Sequence, residues 1–125
     1  MARSKQSRQR ALKWGHLAEW IAIFYLFAKG YRVLSRRYLA RGGEIDIIAT
    51  RKDLVAFVEV KARKDLESGI DAINAGKINR FASAVDHWLM RNPWASDCVL
   101  RCDAIIIRPF RLPYHIEDAF SLPFA

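Results

Sequence analysis

Apolar residues near the start of the chain recur with helical spacing. From Lys13 or Trp14 to Lys29 they follow one another at intervals of three and four, the pattern of a helix that buries one face. Gly30 suits the left-handed position just after such a helix. We therefore predict a helix over 13–29, preceded by a polar, basic and flexible arm over residues 1–12.

The next part of the chain has the pattern of β-strands. We predict strands over Tyr31–Leu39, Glu44–Thr50 and Leu54–Arg63. The last two are apolar runs separated only by Arg51-Lys52-Asp53, which is typical of an antiparallel hairpin. Because both strands are apolar at odd and even positions alike, we expect both faces of their sheet to be covered by helices.

The sequence pattern of the second half of the chain predicts one more helix and one more strand. Ile70–Arg91 has helical periodicity and Pro93 ends it, and Val99–Arg108 is rich in β-branched residues. The tail from Pro109 is expected to be irregular. The order of elements predicts a single domain over 13–125, of the α/β or α+β class, with a central mixed β-sheet flanked by helices.

Positive charge is concentrated in the first third of the chain. The net charge is +8, and residues 1–43 contain ten of the 21 Lys and Arg residues but only one of the 13 acidic residues. This asymmetry favours a polyanionic partner, either nucleic acid or an anionic membrane surface. A solubilising arm without a ligand is the alternative.

The same sequence argues against a membrane-spanning or secreted protein. The longest apolar run, Trp20–Ala28, is far shorter than the roughly 20 residues that span a bilayer. Glu19 adjoins this run and no small-residue cleavage site follows it, so we expect no secretory signal. Cys98 and Cys102 are too few for a disulfide framework, which indicates reduced thiols and a cytoplasmic location.

Three charged residues lie in strands otherwise suited to burial: Asp46, Glu59 and Lys61. Glu59 and Lys61 are two apart and should share a face. If the hairpin turn closes over Arg51 to Leu54, residues whose numbers sum to 105 lie opposite each other. Asp46 then faces Glu59, and Glu44 faces Lys61. Two carboxylates about 5 Å apart repel unless a cation lies between them, and oxygen ligands at this spacing suit Mg²⁺. A shift of one residue would turn Asp46 to the other face.

An ordinary ion pair explains the same residues without a metal. Asp46 or Glu44 could pair with Lys61 across the strands, with Glu59 satisfied by Arg63 or Lys77. The spacing alone leaves both interpretations open.

Two strings of the hairpin resemble a known family. GEIDIIA at 43–49 and FVEVKAR at 57–63 resemble the YraN-like proteins of bacteria. These are similar to the restriction-endonuclease-like superfamily, with its D…(D/E)-x-K motif, and to the archaeal Holliday-junction resolvases. The resemblance extends over residues 14–108 and implies the fold of that superfamily.

The resemblance also implies a site and an activity. Asp46 and Glu59, with the Val60 carbonyl, would bind a divalent metal, Mg²⁺ or Mn²⁺. Lys61 would orient or deprotonate the attacking water, or stabilise the pentacovalent phosphorane, and Glu19 would supply a further carboxylate. The expected protein is a metal-dependent endonuclease that acts on DNA, including branched or damaged structures.

Several arginines flank this expected site in the sequence. We expect a surface that binds the nucleic-acid backbone, formed by Arg32, Arg36, Arg37 and Arg41. Lys77 could also hold a phosphate, although a solvated position fits it equally well. DNA is favoured over RNA as the partner, and a homodimer stays open because junction resolvases work as two-fold dimers. The rival functions are a nucleic-acid-binding protein that keeps the nuclease fold without cutting, and an adaptor whose basic arm contacts an acidic protein.

Overall fold

The computed structural model describes residues 5–74 and 78–122 of the chain. Its elements, in chain order, are α1 (Lys5–Ala28), β1 (Arg32–Ala40), β2 (Gly43–Arg51), β3 (Leu54–Ala62), α2 (Leu66–Asn74), α3 (Ile78–Arg91), a short 3₁₀ helix (Pro93–Asp97), β4 (Val99–Ile107) and β5 (Tyr114–Ile116).

The strands form one mixed sheet in the order β1-β2-β3-β4-β5. Only β3 and β4 run parallel, and the other neighbours are antiparallel. One face of the sheet packs against α1 through Ala18, Ala22 and Leu26, and the other packs against α3 through residues such as Val85 and Trp88. The predicted class, a central mixed sheet flanked by helices, is confirmed.

The first helix is longer than predicted. It begins at Lys5 rather than at residue 13 or 14, so residues 5–12, expected to belong to a flexible arm, are helical. Its end agrees with the prediction: Gly30 has φ +90°, and the Tyr31 N–H donates to the Leu26 carbonyl, which is the cap expected of glycine just after a helix. No helix in the described part of the chain is both long and apolar enough to cross a membrane.

The second half of the chain differs from the prediction in two places. The helix expected over Ile70–Arg91 begins earlier, at Leu66, and is described as α2 and α3 on either side of residues 75–77. Lys77, a candidate phosphate ligand, lies outside the described residues. The tail expected to be irregular contains β5, which pairs with β4 and forms one edge of the sheet. The three residues of β5 are too few to show the alternation of apolar and polar residues that would predict a strand.

The register of the central hairpin is the one expected. Ile47 pairs with Val58, Ile48 with Phe57, and the pairing continues to Arg51 and Leu54. Every pair sums to 105. The register on which the approach of Asp46 to Glu59 depends is therefore confirmed up to the pair Ile47–Val58, the last pair before these two residues.

Gly43, the first residue of the GEID string, lies where α3 touches the sheet. A Cβ atom at this position would stand 1.8 Å from the carbonyl oxygen of Arg80, in the first turn of α3. The backbone of the helix thus occupies the space that any side chain would need. Glycine at the start of β2 is required by this close approach, which fixes α3 beside the beginning of the strand.

We expect Gly43→Ala to destabilise the protein by about 1–3 kcal/mol, because the added methyl group forces α3 away from β2. Urea unfolding measures the change. Gly15→Ala in α1 is the matched control, since its Cβ meets nothing within 4 Å and alanine favours a helix by up to about 1 kcal/mol. Equal stability of Gly43→Ala and the wild type would contradict the contact between α3 and β2.

Candidate active site

The two central strands separate at Asp46. The pairing of β2 with β3 ends at Ile47 and Val58, whereas β3 continues to Ala62 alongside β4. Beyond the last pair, Oδ2 of Asp46 accepts a hydrogen bond from the Val60 N–H at 2.8 Å. The carboxylate of Asp46 therefore satisfies a backbone donor that the diverging strand leaves unpaired.

The backbone is irregular at the same point. Ile45 belongs to the core on the α3 side and Ile47 to the core on the α1 side, although two residues so spaced share a face in a regular strand. On β1, Arg36 pairs with Ile47 and Tyr38 pairs with Ile45, so Arg37 lies opposite Asp46. Arg37 has φ +55°. Such a conformation is strained for a non-glycine residue and is frequent at functional sites.

Glu59 and Lys61 share one side of β3, as predicted. Nζ of Lys61 lies 2.9 Å from Oε1 of Glu59, and both side chains are about three-quarters buried. The expected opposition of Glu44 and Lys61 is wrong, because the hairpin pairing stops before it and Glu44 lies opposite Leu39 on β1. The partner of Lys61 is thus a residue of its own strand.

Burial and neighbouring carboxylates perturb the carboxyl group of Asp46. Burial, and then the negative charge of Glu59, raise the pKa of Asp46 to about 7. The hydrogen bond from Val60 opposes this rise, and the charges of Glu19 and Glu44 add to it. Arg37 is also within range, since its pKa is raised, chiefly by its hydrogen bond with Glu19 and further by the charge of Asp46. Three other carboxylates therefore act on Asp46, which favours an added cation.

Glu19 reaches this region from α1 but is held by arginines of β1. Its Oε1 lies 2.8 Å from Nε of Arg37 and 3.5 Å from Nη1 of Arg36. Arg36 also stacks over the ring of Trp20, with 4.7 Å between its Cζ atom and the ring centroid. The carboxylate expected to assist a metal or the water is thus paired with two residues expected to bind nucleic acid.

A cavity of about 370 Å³ opens between α1 and the end of β3. Glu19 and Lys61 both line it, and its other lining residues are Trp14, Gly15, Ala18, Val60, Ala62 and Arg63. Asp46 and Glu59 are not among the lining residues. The cavity therefore joins two of the four predicted catalytic residues, and Val60 connects it to Asp46 through the hydrogen bond described above.

Whether this site can bind a divalent metal depends on the oxygen ligands that its side chains offer. Within residues 5–74 and 78–122, no three His, Cys, Asp or Glu side chains form a ready-made metal site. Mg²⁺, however, is usually held by one or two carboxylates and completes its shell with water and substrate phosphate oxygens. Asp46 and Glu59 supply such a pair. The pKa of Asp46 is raised first by burial and then by the charge of Glu59, and a dication would offset this second effect. The residues present therefore fit Mg²⁺ or Mn²⁺.

The remaining predicted binding residues lie along an exposed edge. β1 is the outermost strand beside β2, and Arg32, Arg36 and Arg37 are exposed on it. Arg41 is exposed in the turn that follows. Arginines on an edge strand discourage pairing with another sheet, so their position also has a structural explanation.

A second polar cluster, to which the sequence prediction gave no role, surrounds Asp103 on β4. Asp103 is fully buried and accepts hydrogen bonds from both Nε and Nη2 of Arg101, from Nε2 of His115 and from the Asp118 N–H. These bonds outweigh the effect of burial and lower its pKa. The available signals were an acid inside the apolar run of β4 and Arg101 two residues before it, whereas His115 and Asp118 come from the segment after β4.

The fold and these residues define a small α+β protein with a carboxylate pair and a lysine where two central strands separate. The model of the Uncharacterised protein family UPF0102 matches residues 18–107. UPF0102 proteins of Mesorhizobium japonicum and Agrobacterium fabrum are 46% and 47% identical, over 94% and 90% of this chain and 94% and 93% of their own lengths. A UPF0102 protein of Rhodopseudomonas palustris is 44% identical, over 97% of this chain and 98% of its own. The chain belongs to this family, so the YraN-like assignment is confirmed.

We expect the stability of the wild type to fall as the pH rises from about 4 to about 7. Folded Asp46 keeps its proton up to a pKa of about 7, whereas the unfolded chain releases it near 3.8. The folded state therefore binds more protons within this window, and the loss is complete above it. Asp46→Asn keeps an oxygen for the Val60 N–H and should remove this slope, as urea unfolding across the window can show.

The exposed Asp53 supplies the control. Asp53→Asn should leave the wild-type pH dependence unchanged. Asp65 and Asp103 have lowered pKa values, so their contributions change below the window and do not interfere. If Asp46→Asn and the wild type lose stability in parallel, the carboxylate of Asp46 does not experience the field described here.

Proposed function

We propose that this protein is a metal-dependent endonuclease of the restriction-endonuclease-like type, which hydrolyses phosphodiester bonds in DNA. The observation that carries the proposal is the convergence of Asp46 and Glu59 where β2 and β3 separate, with Lys61 beside them. Phosphodiester hydrolysis needs a nucleophile at neutral pH and positive charge where negative charge develops.

Asp46 and Glu59, together with the Val60 carbonyl, would hold Mg²⁺ or Mn²⁺. Such an ion supplies Lewis-acid stabilisation and a lower pKa for water when it is bound. The Val60 N–H fixes one oxygen of Asp46, which leaves the other oxygen of this carboxylate to act as a ligand. The hydrogen bond thereby orients the carboxylate, as neighbouring donors commonly do for metal ligands.

Lys61 is the residue best placed to meet the substrate. Its ammonium group lines the cavity and is paired with Glu59. When the carboxylate of Glu59 turns away from Lys61, the ion pair weakens and the ammonium group can approach a phosphate oxygen. Water forms a bond to phosphorus and loses a proton to solvent, one ester P–O bond breaks, and the leaving sugar oxygen takes up a proton from solvent. Lys61 would stabilise the charge of the phosphorane or orient the water.

DNA would approach along the arginines of β1. The exposed Arg32 and Arg41 are suited to phosphate contacts. Arg36 and Arg37 are paired with Glu19 in this structure, and contact with phosphate would exchange that partner. Glu19 would then be released towards the cavity that it lines, where it could serve as the further carboxylate.

One observation favours a second candidate, a nucleic-acid-binding protein that does not cut. Lys61 and Glu59 already neutralise each other at 2.9 Å, and Glu19 is already paired with arginines. A stable arrangement of this kind would keep the fold and the basic edge without catalysis. Binding that weakens steeply with salt and needs no metal, without cleavage of any substrate, would support this candidate.

The test is cleavage of linear, nicked and branched DNA with Mg²⁺ or Mn²⁺. We expect the wild type to cut and a chelator to stop it. Asp46→Asn and Lys61→Met should each lower the rate at least about 100-fold, the usual scale for loss of one charge-stabilising group. Both variants should keep their DNA affinity, measured by fluorescence anisotropy, because the basic edge is unchanged.

Two substitutions at the far end of the same hairpin serve as controls. Asp53→Asn and Lys52→Met remove the same charges from exposed positions in the turn between β2 and β3, and should leave cleavage within about twofold of the wild type. Full activity of Asp46→Asn would refute the proposal. Wild-type protein that binds DNA but cuts no substrate would support the non-catalytic candidate instead.

A further inference from the structure

One face of α1 carries a line of large, exposed apolar side chains, of which Trp20 is partly covered by Arg36 of β1. Leu17, Trp20, Phe24 and Phe27, here called the α1 stripe, are 51%, 45%, 69% and 74% exposed. Their spacing of three and four residues places them in one line along the helix. The face that packs on the sheet is formed by other residues, Ala18, Ala22 and Leu26, so the α1 stripe is not needed for the core.

We propose that the α1 stripe is the contact surface of a homodimer, in which α1 of one copy packs antiparallel against α1 of a second copy. This proposal is independent of the proposed nuclease activity. It rests on the symmetry of the stripe and on its area.

The stripe is complementary to itself. When two α1 helices run antiparallel about a two-fold axis, one register places Leu17 opposite Phe27 and Trp20 opposite Phe24, because both pairs of numbers sum to 44. Each side chain of the stripe then meets a side chain of the stripe on the other copy. A two-fold interface requires such self-complementarity, and a stripe with arbitrary spacing would leave some of its members unmatched.

The area agrees with that of a stable dimer. With roughly 150–250 Å² for each fully exposed aromatic side chain, the exposed fractions of the stripe give about 450 Å² of apolar surface per copy. Two copies would bury about 900 Å². A standard interface buries about 1,600 Å², of which slightly more than half is apolar, so the stripe alone accounts for that part.

Sedimentation velocity on the full chain tests the proposal. We expect wild-type protein to have twice the mass of the 14.4 kDa chain. Phe24→Glu should give the single-chain mass, because it buries a charge at the centre of the interface, and should weaken association at least about 100-fold. Met90→Glu on α3 is the matched control, since Met90 is 74% exposed but lies outside the stripe, and it should remain dimeric.

Mixing two variants tests the register. Leu17→Glu and Phe27→Lys should each be monomeric alone. A mixture should recover the dimer mass, because one contact joins the introduced carboxylate to the introduced amine and the other remains native. Circular dichroism confirms that each variant is folded.

Three outcomes would overturn the proposal. A single-chain mass for the wild type up to about 100 µM rules out a dimer of ordinary strength. Equal dissociation of Met90→Glu and Phe24→Glu rules out this surface, and no recovery in the mixture rules out the antiparallel register. If the wild type is monomeric and Phe24→Glu weakens DNA binding, the stripe is a base-stacking surface instead.

Discussion

A single hydrogen bond, from the Val60 N–H to the carboxylate of Asp46, organises the charged end of the sheet. It lies where the ladder between β2 and β3 ends, and it supplies the acceptor that the next ladder pair would have provided. Because the two strands separate there, carboxylates from both can approach each other without a continuous backbone ladder between them.

The hairpin and its register could be predicted from the sequence, but the residue at which the pairing of β2 with β3 stops could not. Alternating apolar runs and a short polar break define the turn, and the register confines Asp46 and Glu59 to one region. Where the strands separate, Arg37 of β1 has a left-handed backbone, and Gly43 at the start of β2 touches α3. Both are tertiary features, so the ion pair between Glu59 and Lys61 could not be chosen over a cross-strand pair from spacing alone.

Helix α1 links the core, the candidate site and the exposed stripe. Its inner face is built from small and aliphatic residues that approach the sheet closely. Glu19, on the flank of the helix, joins the arginines of β1 to the cavity. Trp20 stacks under Arg36, which is also paired with Glu19. Any contact that covers Trp20 would therefore restrict the arginine that neutralises Glu19, so the outer face of α1 and the cavity are physically connected.

Two acids within the sheet show how the surroundings decide the role of a carboxylate. Asp103 is the more buried, yet its pKa is lowered, because a guanidinium, an imidazole and a backbone N–H all donate to it. Its charge is satisfied by the protein, and adding a cation would only compete with Arg101. The pKa of Asp46 is raised by burial and then by the charge of Glu59, because its one hydrogen bond, from Val60, does not offset these two effects. Burial alone would have ranked Asp103 as the stronger candidate. The balance of donors against neighbouring charges identifies Asp46 instead, because only there does a cation remove a repulsion that the fold leaves in place.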